Sequence, residues 1–298
     1  MVVLAAAIFS VWWFGPAAEH RAEVAAATAE ARRDVVASYE GIATAVAATA
    51  DTAADLRLTL QQYLIESPRS DEELNTDRLN QQAALDDVGR RLQERANAPP
   101  PDLPDFARRR ALAAELQRLA AFRSSAGDLG ERAVALAARA EQWAAALLHL
   151  RAERDRYIAF VQDQPDTQDP AELRQQWESE RAVLADYRAA AEAANDVAGL
   201  ETVADAYLTY VEHNMAFAEE AIALLTLGDL DEYNTRVREV FGGADPFGFQ
   251  AAVATALGQS LDAGVIGELS DLSVDADDLR SELQRAARQV ASASASPG

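Results

Sequence analysis

Three histidines, His20, His149 and His213, are the side chains best suited to move a proton near neutral pH or to ligate zinc. None stands in a His-Glu-x-x-His zinc motif, and the paired Glu-x-x-His pattern of di-iron bundles is absent. His20 with Glu23, and His149 with Glu153, share helix faces, a spacing that recurs by accident on charged helices. The chain has no cysteine, which removes disulfides, thiolate nucleophiles and thiolate metal sites. Asp275, Asp277 and Asp278 lack the central glycine and terminal glutamate of a calcium loop. Asp275 or Ser273 is expected to cap a helix instead, where an acid meets free amides and the positive dipole end. Gly242 and Gly243 follow no strand and precede no lysine, so they make no phosphate loop. No catalytic group, metal site or cofactor site is expected, and the chain is not read as an enzyme.

One cluster does invite a binding role. Tyr207, Tyr210, Asn214 and Phe217 follow helical seam spacing beside His213, so two phenols and an amide are expected to point inward together. Inward polar groups need partners. An internal hydrogen-bond network that sets helix register would supply them. The alternative is a small-ligand pocket between helices, lined by Tyr207, Tyr210 and Asn214.

Composition decides what must hold these residues. Alanine is abundant, and it favours helix while contributing little core area. No stretch alternates as a half-buried strand would. The fold is expected to be all-α, an elongated antiparallel helical bundle with coiled-coil-like seams. The net charge is −22, and every one of the 27 basic residues is arginine. Such a charge opposes nucleic acids and anionic lipid surfaces, and the basic clusters at Arg32-Arg33, Arg90-Arg91 and Arg108-Arg109-Arg110 are short.

Residues 1–18 carry no charged side chain and end in Trp12, Trp13, Phe14, Gly15 and Pro16. A membrane span wants about 20 residues, with amphipathic aromatics at its edge. We read this segment as a transmembrane signal anchor, ahead of a cleaved secretory signal or an apolar packing helix. No other segment is apolar enough to span, so the body is expected on one side of the membrane, outside the cytoplasm.

Rows spaced by seven organise the remainder. Val35, Ile42, Thr49, Leu56 and Tyr63, with Tyr39, Val46, Ala53 and Leu60, predict a helix over about 17–65. Ser70 and Glu73 have capping-box spacing for a second helix, about 71–97, carrying Leu74, Leu79, Leu85, Val88 and Leu92 inward. The proline run at 99–104 stops it. A third helix is predicted over about 105–162, with Leu129, Leu136, Trp143, Leu150 and Tyr157 in one row and Ala133, Ala140, Leu147, Arg154 and Val161 in another. Gly127 and Gly130 are expected to bend it. A fourth runs over about 171–227 with a slip near Gly199, then a short helix from Leu230 to Phe241, a glycine-rich loop to Phe249, and a terminal helix over about 275–291. The aromatics of that loop are expected to pack on the bundle.

These elements give an anchor (1–18), a long-helix bundle (19–227), an acidic helical segment packed on it (228–291) and a flexible tail (292–298). The expected function is a membrane-tethered extracytoplasmic scaffold or protein-interaction module. Its partners would be other cell-envelope proteins and, through residues 1–18, the lipid bilayer. The alternative is an extracytoplasmic small-ligand-binding or sensory domain working with a separate transducer.

Overall fold

Alanine and leucine in rows three and four apart build helix after helix, and the breaks fall where proline or glycine interrupts them. The computed structural model describes residues 2–64, 71–103, 105, 111–243 and 246–293, for residues 2–18, 71 and 246 the backbone only. The helices are α1 (Val2–Leu64), α2 (Asp71–Asn97), α3 (Ala113–Gln162), α4 (Pro170–Asn195), α5 (Glu201–Leu227) and α6 (Leu230–Phe241). A 3-10 turn, Pro246–Gly248, leads into α7 (Phe249–Ser260) and α8 (Gly264–Ala293). No strand occurs among the described residues, and the protein is all-α. The side chains of the expected anchor, residues 1–18, lie outside the description, as do Ser70 of the expected capping box and Arg108-Arg109-Arg110. Among the described residues no helix is long and apolar enough to cross a membrane.

Packing divides the chain into two units, residues 1–53, 84–134 and 272–298, and residues 54–83 and 135–271. In the first unit the two α1 rows are inside: Val35, Tyr39, Ile42, Val46, Thr49 and Ala53 are all buried. Tyr39 sets its ring edge-on to Phe122 and donates its hydroxyl to the Glu115 carbonyl at 2.9 Å. Leu279, Leu283, Ala286 and Val290 of α8 are also buried. Ser273 donates to the Ala50 carbonyl at 3.2 Å, and Arg32 Nη1 to the Ala293 carbonyl at 3.3 Å. These two bonds run α8 antiparallel to α1.

Gly127 and Gly130 do not interrupt α3, which is helical through both. Gly130 does something else. A Cβ there would lie 2.7 Å from the Gly89 carbonyl oxygen, and one at Gly89 would lie 2.9 Å from that of Gly130. The pair lets the backbones of α2 and α3 touch.

In the second unit Leu56, Leu60 and Tyr63 complete the α1 rows, and Trp143, Leu147 and Leu150 of α3 are buried. At roughly 1.5–3 kcal/mol for each large apolar side chain removed from water, such rows supply most of the folding free energy. The row carrying Leu147 fails at its end, where Val161 is exposed. Leu79 is exposed as well, and Arg78 takes the inward position, clamped by Asn75 Oδ1 and Gln82 Oε1 at 2.7 Å each. The single helix expected over about 171–227 is two helices, α4 and α5, packed as a hairpin. Asp169 caps α4, accepting from the Ala171 amide at 2.7 Å. Residues 196–200 reverse the chain, with Gly199 at φ 90°. That turn meets the α7–α8 turn, where Gly264 has φ 53° and a Cβ would lie 2.5 Å from Gly199 Cα.

The terminal helix starts at Gly264, eleven residues ahead of the expected cap. Ser273 and Asp275 are therefore interior residues of α8, and Asp275 pairs with Arg132 at 2.6 Å instead of capping anything.

Candidate functional site

The α4–α5 hairpin, the end of α3 and the start of α7 bring together more phenols than the sequence cluster alone suggests. Tyr157 of α3, Tyr187 of α4 and Tyr207 of α5 are buried in one apolar cluster with Leu184, Val203 and Val211. Tyr187 and Tyr207 meet edge-on with centroids 5.9 Å apart, and Tyr157 sits 6.1 Å from Tyr187. Tyr210 is half-buried and turns toward Tyr157, at 6.4 Å.

Phe249, the first residue of α7, joins the two expected site tyrosines. Its ring stacks on Tyr210 at 4.1 Å and meets Tyr207 edge-on at 5.3 Å. Phe247 lies over Tyr210 at 6.3 Å, His213 at 5.1 Å and Phe241 at 6.1 Å. The aromatics of the glycine-rich loop thus pack on α5. Phe247 does so from a left-handed backbone, φ 58°, a conformation that disfavours a side chain by about 1–3 kcal/mol. Beyond Phe241 the aromatic row continues to Phe217 and Trp177, whose indole donates to the Tyr233 hydroxyl at 3.1 Å.

Asn214 is buried, at 1% exposure, but its amide is spent on its own helix: Nδ2 donates to the Tyr210 carbonyl at 2.8 Å. Its Oδ1 is buried and has no partner among the described residues, and the same holds for the Tyr187 hydroxyl. The polar centre of the cluster lies elsewhere, in a residue sequence reading passes over. Glu180 of α4 is buried, and its Oε1 accepts the Tyr157 hydroxyl at 2.9 Å. Its place three residues after Trp177 and four before Leu184 is an inward one, which is the signal that could have found it.

Burial pushes the Glu180 carboxyl above the usual carboxylate range, and the Tyr157 hydrogen bond pulls it partly back. Burial also raises Tyr157, with the neighbouring Glu180 charge adding to it. Tyr210 rises by burial too, against the pull of the neighbouring Tyr157 hydroxyl and Asn214 amide. The phenols are therefore held protonated and can donate or accept hydrogen bonds, but not act as bases. His213 is exposed, its ring 5.1 Å from that of Phe247. Its expected neighbour Tyr207 lies below in the core. His20 faces Glu23 across 3.9 Å on the exposed surface of α1. Among the described residues no group of three or more His, Cys, Asp or Glu is placed to hold a metal ion.

Tyr187 Oη and Asn214 Oδ1 are the cluster's buried polar atoms that bond to no described residue. Set against known proteins, the chain matches no family model, no curated protein and no solved structure.

Proposed function

We propose that the chain is a membrane-tethered helical module that binds other proteins of the cell envelope, with its body outside the cytoplasm. The course of α1 supports this reading. Charge-free residues 1–18 lead directly into residues 19–30, which are exposed or half-buried, and Ala31 is the first buried side chain among the described ones. A charged, uncovered helical stretch between an apolar leader and a packed body is what a tether requires. The long rows of buried residues support antiparallel helical packing with coiled-coil-like seams. Partners would meet a surface of mixed charge with net acidity. Fractionating cells that carry a C-terminally tagged chain, then treating wall-stripped cells with protease, tests this. A membrane-bound, digestible tag is expected; a soluble, protected tag would overturn both the anchor and the extracytoplasmic location.

A second reading, a small-ligand-binding or sensory domain, is favoured by the two orphaned atoms, Tyr187 Oη and Asn214 Oδ1. Buried polar atoms without partners are rare in folded proteins. Native mass spectrometry of protein from its own host should then reveal a bound small molecule that Tyr207→Ala and Asn214→Leu release. Bare protein mass in every preparation would count against it.

A further inference from the structure

The first unit contains a cleft of about 320 Å³ where α1 passes the end of α2 and the proline segment that follows. Three charged residues line it, Asp34 of α1, Arg95 of α2 and Arg123 of α3, and the first two matter most here. Neither side chain has a hydrogen bond or ion pair with any described residue. Both side chains are exposed at the mouth of the cleft, whereas Arg90, Arg91, Arg132 and Arg139 each meet a carboxylate.

Gly41 makes the room for one of these charges. In the interior of α1 a glycine disfavours helix by about 1 kcal/mol relative to alanine. A Cβ at this position would meet one atom only, Arg95 Nη1 at 2.9 Å. The glycine thus answers to no packed helix; it lets the Arg95 guanidinium lie against α1. Arg123 of α3 stiffens the opposite wall, donating to the Ala98 carbonyl at 2.9 Å and the Pro99 carbonyl at 3.4 Å, and its Nε is buried with no partner. Pro99 and Pro101 add apolar surface to the cleft's lining.

We infer that this cleft binds a small zwitterion of the α-amino-acid class, with its carboxylate on Arg95, its ammonium on Asp34 and its side chain against the prolines. A simple anion would meet Asp34 and the strong overall negative charge. A simple cation would meet Arg95 and Arg123. A zwitterion satisfies both unpaired groups at once, and the volume suits a small molecule. The site belongs to a different unit from the Tyr207 cluster, so the two stand or fall separately.

Calorimetric titration of the full chain with glycine, L-valine and L-phenylalanine tests the assignment. Each is run beside its deaminated acid and its decarboxylated amine, such as 3-phenylpropanoate and 2-phenylethylamine. At least one amino acid should bind with a Kd below about 1 mM, and both its truncated forms about tenfold or more weakly. Asp34→Asn and Arg95→Gln should each weaken binding about tenfold or more, and Gly41→Ala should do so by displacing the guanidinium. Thermal melts verify that each variant is folded, and since Asp34 and Arg95 pair with no described residue, those two should melt as the parent does. Three results would overturn the assignment: no binding by any of the three amino acids at about 10 mM, binding that ignores both charge substitutions, or acids that bind as well as their parent amino acids.

Discussion

The Tyr157 hydroxyl and the Glu180 carboxylate form a buried pair that ties α3 to α4, Oη donating to Oε1 at 2.9 Å. A carboxyl in that position would be stabilised as an anion by the phenol and destabilised by loss of water. Burial is the larger effect, so the carboxyl holds its proton to higher pH than it would in the unfolded chain.

Glu180 therefore makes stability fall with rising pH. Below its ordinary value of 4.5 the group is protonated in both states and its contribution is fully present. As pH climbs from there through the raised folded value, the unfolded chain releases the proton first and the folded state loses ground. Glu180→Gln keeps an acceptor for Tyr157 and removes the titration. Urea melts from pH 4 to pH 8 should show the parent losing stability relative to the variant as pH rises. Parallel curves for the two proteins would refute the assigned environment.

Gly130 and Gly127 lie one turn apart on α3 and should respond oppositely to alanine. At Gly130 the new Cβ collides with the backbone of Gly89, so α2 and α3 must separate. A loss of about 1–3 kcal/mol is expected, the usual scale of overpacking. At Gly127 the nearest atom is Ala96 Cβ at 3.5 Å, ordinary contact, and alanine should stabilise α3 by up to about 1 kcal/mol. Denaturant midpoints for the two variants give the comparison directly.

The meeting of two turns at Gly199 and Gly264 should be equally intolerant. Gly199→Ala combines a left-handed backbone with a Cβ 2.8 Å from Gly264 Cα. A loss of about 1–3 kcal/mol is expected from the strain alone. Hydrogen exchange should locate the effect in α4, α5 and the start of α8; an effect spread evenly over all helices would count against this account.

Much of the helix layout is legible in the residues. The proline run and the break after Leu64 bracket α2, and the seven-residue rows of α1 are buried almost without exception. What hides is instructive. The α4–α5 turn contains no proline, and its one glycine sits within an alanine-rich run that reads as continuous helix. α7 carries small residues without a repeating large one, so no periodicity marks it. Asp275 looks like a cap because acids favour helix starts, but its partner, Arg132, is 143 positions away in sequence. The same distance problem applies to the site. Tyr207, Tyr210 and Asn214 are visible as one inward stripe, whereas their neighbours Tyr157, Glu180 and Phe249 arrive from three other helices. Glu180 is masked further by the charged residues around it.

The bond from Arg32 to the Ala293 carbonyl puts the first packed turn of α1 beside the last turn of α8, with the chains running in opposite directions. Tension between these two points would not slide the helices along each other. It would peel them apart from one end, loading each contact in turn, as a zipper opens, so the first unit should yield at far lower force than a sheared bundle of equal thermodynamic stability.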